Sequence, residues 1–266
     1  MNHGDTPMVV WSFPASAMPV IVTTVYLFWE AGSVNWGIAL WTLINIILFH
    51  AVGNTWSDYH DYMKGVDRED TFGGMSITSG QFTAKEIRQL AIILLSIAII
   101  SGLSLTICTG LPTLYWGLGG VMLTLLYPWM KFHALGDVNI FLIYSLLSIL
   151  GTSFVTIGYV DLSVLWLTIP IGLITVGILH INNTRDIEHD GRAGITTFAM
   201  LIGKKASVQL YCFEILFPFV WIVVCAILGI FPYWSVIVLV ALKPAIENVR
   251  QAISRLVLQR VVWLPS

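Results

Sequence analysis

Two groups of amide and carboxylate side chains close two separate apolar runs, at spacings that suit a divalent cation. Asn54, Asp58 and Asp61 follow the run from Trp36 to Gly53, and Asn182, Asn183, Asp186 and Asp190 follow the run from Leu162 to Ile181. At 100° per residue, His50, Asn54, Asp58 and Asp61 fall within an arc of about 80°, as do Asn182, Asp186 and Asp190, so each group is a stripe on one helix face. Such oxygen donors suit a hard cation such as Mg²⁺, which takes one or two carboxylates and completes its shell with phosphate oxygens and water. Two stripes that faced each other would hold metal ions and a diphosphate between them. Lys64, Lys131 and Arg185, with Arg68 and Arg192, stand near enough in sequence to neutralise the remaining phosphate charge. The plainer reading of an acid at a helix end is solvated surface, and Asp67, Glu69, Asp70, Glu86 and Glu188 are read that way. His50 and His180 read first as hydrogen-bonded structural residues. Glu214, deep in an apolar run, reads equally as a functional carboxylate or as a neutral acid bonded to a neighbouring helix.

The elements that must position these stripes lie in a bilayer. Of 266 residues, 57% are hydrophobic and 11% charged, against about 25% charged in a typical soluble domain. Mean hydropathy is +0.83. A soluble core cannot hide so much apolar surface. The net charge of −2 gives no reason to expect a nucleic-acid partner. Cys108, Cys212 and Cys225 fall inside apolar runs without metal-ligand spacing and read as small hydrophobes. Asp5 rather than a basic stretch precedes the first apolar run, so no cleavable leader is expected. Apolar runs predict eight spans, at 8–29, 35–53, 88–109, 111–130, 134–158, 162–181, 207–229 and 231–246. The fold class is therefore all-α, a polytopic membrane helical bundle forming one integral-membrane domain over residues 1–266. All thirteen Lys and Arg fall in connections on one side of these spans, whereas the opposite connections carry Glu30 and Asp161 and no base. The positive-inside rule then places both acidic stripes and both chain ends in the cytoplasm.

Four stretches carry a family resemblance. They are Ser12-Phe13-Pro14-Ala15-Ser16 with Pro19; Asn54, Asp58, Tyr59 and Asp61 continuing to Lys64-Gly65-Val66-Asp67; Tyr127-Pro128 with Lys131 and Leu135-Gly136-Asp137; and Asn182-Asn183, Arg185-Asp186 and Asp190 followed by Gly194, Thr197 and Gly203. At these residues the chain resembles the UbiA-type intramembrane aromatic prenyltransferases, and most closely the 1,4-dihydroxy-2-naphthoate prenyltransferases of menaquinone synthesis (MenA-type). The Asp58-x-x-Asp61 spacing is similar to that branch.

The resemblance implies a bundle around a central cavity, with the Asp motifs at its cytoplasmic mouth, in what would be a bacterial inner (plasma) membrane. It also implies that the family's ninth span is missing or truncated here. Carried over, Asn54, Asp58, Asp61, Asp186 and Asp190 would bind Mg²⁺ as cofactor, the four aspartates being the catalytic set. Lys64, Lys131 and Arg185 would contact the diphosphate of a polyprenyl diphosphate, and Asn182 and Asn183 would support the second motif. The implied reaction is Mg²⁺-assisted diphosphate departure and prenyl transfer to an aromatic acceptor, with Asp61, His50 and Glu214 as candidate bases. Two alternatives stand beside it: another acceptor on the same fold, or a divalent-cation transporter whose acidic stripes are ion sites. Charges clustered at one face favour the enzyme, since a transport path needs polar groups deep in several spans.

Overall fold

The computed structural model describes residues 12–68 and 75–261, the side chains of Met75 and of residues 255–261 excepted. The first residues of the expected first span, together with Glu69 and Asp70, lie outside them. Helix α1 (Pro14–Ala31) is followed by α2 (Trp36–Lys64), the single turn α3 (Met75–Thr78), α4 (Ala84–Thr109) and α5 (Pro112–Phe132). Three pieces then run end to end: α6 (Gly136–Phe141), a π-helical turn (Leu142–Leu147) and α7 (Ser148–Ile157). A 3-10 turn (Leu162–Val164) leads to α8 (Leu165–Arg185), the short α9 (Ile187–Arg192) and α10 (Phe198–Ile227). The chain closes with a 3-10 segment (Tyr233–Ala241) and α11 (Leu242–Val261).

Local sequence sets the helix ends. The Asn35 side chain accepts the Ile38 N–H at the start of α2, and Thr83 and Glu86 form a reciprocal capping box at the start of α4, arrangements that satisfy donors a helix start leaves free. Among the described residues, five helical stretches are long and apolar enough to cross a membrane: Trp36–Lys64, Ala84–Thr109, Gly136–Ile157, Leu162–Arg185 and Phe198–Ile227. Their outward faces carry large apolar side chains such as Ile100 and Ile107, 65% and 86% exposed, which hydrocarbon rather than water would cover.

The segment expected to span at 231–246 is not one apolar α-helix. Its apolar half is the 3-10 segment, which at about 2.0 Å per residue falls well short of a hydrocarbon core about 30 Å thick. From Leu242 the chain is an α-helix bearing Lys243, Glu247 and Arg250. Helix α10 begins at Phe198 rather than near Ser207, because Gly203 adopts φ 80° and lets two helical pieces join across a break. The Ser207 hydroxyl bridges that break by donating to the Ala199 carbonyl at 3.2 Å.

One proline inside a helix, Pro170, is compensated by a neighbour. Pro170 has no N–H for the Trp166 carbonyl, and Trp221 Nε1 of α10 donates to that oxygen at 3.0 Å. Helices α8 and α10 form the most extensive contact in the bundle. Near Pro128 in α5, Asn139 Nδ2 donates to the Leu123 carbonyl at 3.0 Å and Trp56 Nε1 to the Leu125 carbonyl at 3.2 Å, the two carbonyls flanking that of Thr124, which the proline leaves without its helical donor. A donor from a neighbouring helix, as at Pro170, is how a membrane helix tolerates proline. The apolar core of Leu27, Ile149, Val164, Leu167 and Ile171 sits at the α8 end remote from Asp186. It fixes the bundle at that end and leaves the other for polar residues.

Candidate functional site

The C-terminal ends of α2, α5 and α8 meet. Helix α2 stays helical past Gly53 to Lys64, which carries Asn54, Asp58 and Asp61 out on one face. Gly65 then takes the left-handed conformation (φ 75°), and its N–H and that of Val66 return to the Asp61 carbonyl. A glycine in this position ends a helix and reverses the chain. The reversal brings Asp67 back against the stripe rather than out into solvent.

Lys131 is the centre of the site. Its Nζ donates to Asp61 Oδ2 at 2.7 Å, with the two side chains only 15% and 8% exposed. Ser57 Oγ donates to the same oxygen at 3.0 Å, whereas Asp61 Oδ1 is buried without a partner. Two loops place Lys131 beside the second stripe. The Ala134 N–H donates to the Thr196 carbonyl at 2.7 Å, and the Thr196 N–H to the Phe132 carbonyl at 3.1 Å. This short parallel bridge ties the α5–α6 turn to the α9–α10 turn.

The second stripe bends rather than running straight. Asp186 leaves helical geometry between α8 and α9, yet its N–H still reaches the Asn182 carbonyl and the Asp190 N–H reaches the Asp186 carbonyl. Arg185 grips Asp186 with two bonds, Nε to Oδ1 at 2.7 Å and Nη2 to Oδ2 at 2.6 Å.

The electrostatics show the stripes converging. Burial first, then the charge of Asp61, pushes the Asp67 carboxyl up to about 7 against the pull of Lys131, and Asp186 and Asp190 add to the rise. Burial likewise pushes the Asp190 carboxyl up to about 6, with Lys131 opposing and Asp186 and Asp61 adding repulsion. Asp58 stands in the same field, facing Asp67, Asp61 and Lys131. Both raised values exceed the ordinary carboxylate value of about 4, so unfolding releases protons. The stability these groups contribute is complete below that ordinary value and is lost as pH rises through 6 and 7. In chelator-treated detergent solution the melting temperature should therefore fall between pH 5 and 8; a rise across that interval would contradict the burial of Asp67 and Asp190.

The remaining predicted residues are placed less centrally. Asn54 Nδ2 donates to Ser12 Oγ at 3.2 Å, and Asn54 lines a cavity rather than the carboxylate cluster. Lys64 is exposed on the last turn of α2. Asn182 Nδ2 donates to the Ile178 carbonyl of its own helix, and Asn183 is buried. His180 is fully buried with Nδ1 2.7 Å from Asp137 Oδ2, which fits its structural reading. Glu214 is buried too, at the α8–α10 contact beside Gly177. Asp67 is the member of the cluster that the sequence reading assigned to solvent. The signal for it was Gly65 directly after the helix.

A cavity of about 330 Å³ opens one helical turn inward from Asp58, at the small end of the usual ligand-pocket range of about 300–1,000 Å³. Its wall runs along α2 from Asn54 to Thr42, about 18 Å end to end at 1.5 Å per residue. Tyr127, one turn before Lys131, forms part of its mouth.

An all-α membrane bundle with an acidic cleft over an apolar cavity defines the class of protein. The chain belongs to the UbiA prenyltransferase family, whose model matches residues 16–252. It is 29% identical over 215 residues to UbiA prenyltransferase domain-containing protein 1 of Gallus gallus, a match covering 79% of this chain and 64% of that protein. The Drosophila melanogaster homolog is 30% identical over 219 residues, covering 79% and 60%. The chain thus spans less than two thirds of the length of these relatives. Among solved structures, the apo form of a UbiA homolog from Aeropyrum pernix K1 matches with TM-score 0.66 and 14% identity over 91% of this chain and 90% of that one. A UbiA homolog from Archaeoglobus fulgidus bound to DMAPP and Mg²⁺ matches with TM-score 0.59 and 12% identity over 92% and 88%. At these identities the likeness is one of fold.

Proposed function

We propose that this chain transfers a prenyl group from a polyprenyl diphosphate to 1,4-dihydroxy-2-naphthoate, a MenA-type step of menaquinone biosynthesis. The observation that carries the reading is the meeting of Asp58, Asp61, Asp67, Asp186 and Asp190 around Lys131 at the mouth of an apolar cavity. The names of the vertebrate and fly relatives and the DMAPP and Mg²⁺ of the archaeal homolog support prenyl transfer.

The residues fit Mg²⁺. Five carboxylates gather about Lys131 and Arg185, and Asp61 Oδ1 is an orphaned buried acceptor. Among the described residues no three acidic or imidazole groups form a ready metal cage. Mg²⁺ does not need one, since it draws most of its shell from phosphate and water. Asp58, Asp61 and Asp67 would hold it from one side and Asp186 and Asp190 from the other, with Asn54 at the cavity edge. Bound there, it would supply Lewis-acid charge to the diphosphate. Addition of Mg²⁺ should raise the melting temperature more at pH 8 than at pH 5, because the acids bind it only when ionised.

The chain's own groups perform the rest. Lys131 and Arg185 place positive charge where the diphosphate gains negative charge as the allylic C–O bond breaks. Lys64 and Asn182 stand at the rim to meet the outer phosphate oxygens, and Asn183 packs beneath the α8–α9 bend. The apolar cavity walls hold the tail and keep water from the carbon that loses the diphosphate. The ring carbon bearing the carboxylate forms the new bond, and CO₂ leaves with the ring regaining its aromatic electrons. The acidic cleft lies on the cytoplasmic side of a bacterial plasma membrane in this reading.

Membranes containing the chain, supplied with Mg²⁺, geranyl diphosphate and 1,4-dihydroxy-2-naphthoate, should release diphosphate and yield a prenylated, decarboxylated naphthol detectable by mass spectrometry. Divalent-ion flux in liposomes without any product would overturn the reading.

A further inference from the structure

The cavity is not a plain hydrocarbon slot. Four side chains that line it each present a buried polar atom without a hydrogen-bond partner: Asn45 Oδ1, His50 Nδ1, Asn139 Oδ1 and Thr152 Oγ1. All four residues are at least nine-tenths buried. A prenyl tail alone would leave every one unsatisfied in a dry environment, which is the costly state for a polar group. The wall therefore fits a guest that brings oxygen atoms inside.

His50 is the best-built of these positions. Its Nε2 lies 3.1 Å from Ser12 Oγ, which also takes the Asn54 amide hydrogen at 3.2 Å. That contact occupies Nε2 and leaves Nδ1 as the ring's buried atom without a partner. Its ring is edged by Phe13 at 5.4 Å and tilted against Tyr144 at 5.0 Å between centroids. Tyr144 belongs to the π-helical turn Leu142–Leu147. Such turns recur at functional sites because the extra residue re-aims side chains. His50 lies eight residues before Asp58 on α2, about 12 Å along the axis.

We propose that His50, backed by Ser12 and walled by Tyr144, is the specificity site for a ring hydroxyl of the aromatic acceptor, which bonds to Nδ1. A hydroxyl suits this atom in either imidazole tautomer, because it both donates and accepts. A tail or a phosphate does not. Tyr144 supplies a ring face for stacking. The inference rests on the prenyl-transfer reading above and deepens it by placing the acceptor.

The test uses the full chain in detergent with Mg²⁺, geranyl diphosphate, and three acceptors: 1,4-dihydroxy-2-naphthoate and its two monomethyl ethers. His50→Phe should raise the acceptor KM by about ten-fold, the scale of one lost buried hydrogen bond, and leave the donor KM within about two-fold. His50→Gln, whose amide both donates and accepts, should recover most of that loss. With one of the two ethers, the difference between wild type and His50→Phe should vanish. Tyr144→Ala keeps His50 in place and should also raise the acceptor KM, so it carries the test if His50→Phe does not fold. A donor KM that moves as far as the acceptor KM, or an equal His50→Phe penalty on all three acceptors, overturns the assignment. Wild-type protein that binds geranyl diphosphate but prenylates no acceptor overturns the prenyl-transfer reading itself, and is told apart because the variants then play no part.

Discussion

Asp58→Ala and Asp186→Ala should each lower prenyl transfer by about 10²–10³-fold or more, the scale for losing a group that stabilises developing charge. The protein should remain inserted and folded. Asp58 faces Asp67 and Asp61 with only Lys131 in opposition, so removing it relieves repulsion among like charges. Its melting temperature without Mg²⁺ should stay level or rise while activity collapses, the signature of a residue kept at a cost to stability for function. Asp186 differs, because both its oxygens are held by Arg185. Removing it releases two of the guanidinium's bonds, which phosphate oxygens can take, while the cleft loses a metal-side oxygen. Donor KM should then change little in Asp186→Ala although kcat falls, whereas Asp58→Ala should lower kcat and weaken Mg²⁺ dependence together. Full turnover in both variants would remove the carboxylates from the chemistry.

The two stripes were legible because helical spacing and side-chain type are local properties. Asp58 and Asp61 share a face whatever surrounds them, and the apolar runs before them set where the helix leaves the bilayer. Their mutual approach was not legible. It depends on the backbone bridge between the turns at Ala134 and Thr196, residues whose types carry no signal for pairing. Asp67 was misread as solvated for a related reason: its place depends on the reversal at Gly65, which turns an outgoing chain back on its own helix. Pro170 could be seen as a break in a hydrogen-bond ladder, but its partner Trp221 lies 51 residues later and only packing reveals it. The run at 231–246 failed for the opposite reason. Its apolar composition predicts a span, while the backbone, wound as a tight 3-10 coil up to Ala241, decides its length. The cavity's orphaned amides and imidazole were invisible as well, since a buried atom without a partner is a product of packing; His50 reads in sequence as a hydrogen-bonded structural residue or a candidate base.

Lys131→Met separates the structural and chemical parts of the site. The lysine is paired at 2.7 Å with an aspartate whose side chain is 8% exposed. Breaking such a pair from one side leaves a buried carboxylate uncompensated, at a cost of about 3–5 kcal/mol. Asp67 and Asp190 lose the same opposing charge. The single variant should therefore melt well below wild type at pH 8 and recover partly at pH 5, where the acids take up protons. Adding Asp61→Asn should return most of the lost stability, because no buried charge is then left alone. Activity should behave differently. If Lys131 meets the departing diphosphate, kcat/KM falls by about 10²–10³-fold in Lys131→Met and stays down in the double variant, which has lost both a cation and a metal-side oxygen. Lys131→Arg should keep part of the activity, since it retains the charge but changes its geometry. A double variant that regains turnover along with stability would make Lys131 a structural partner of Asp61 and nothing more.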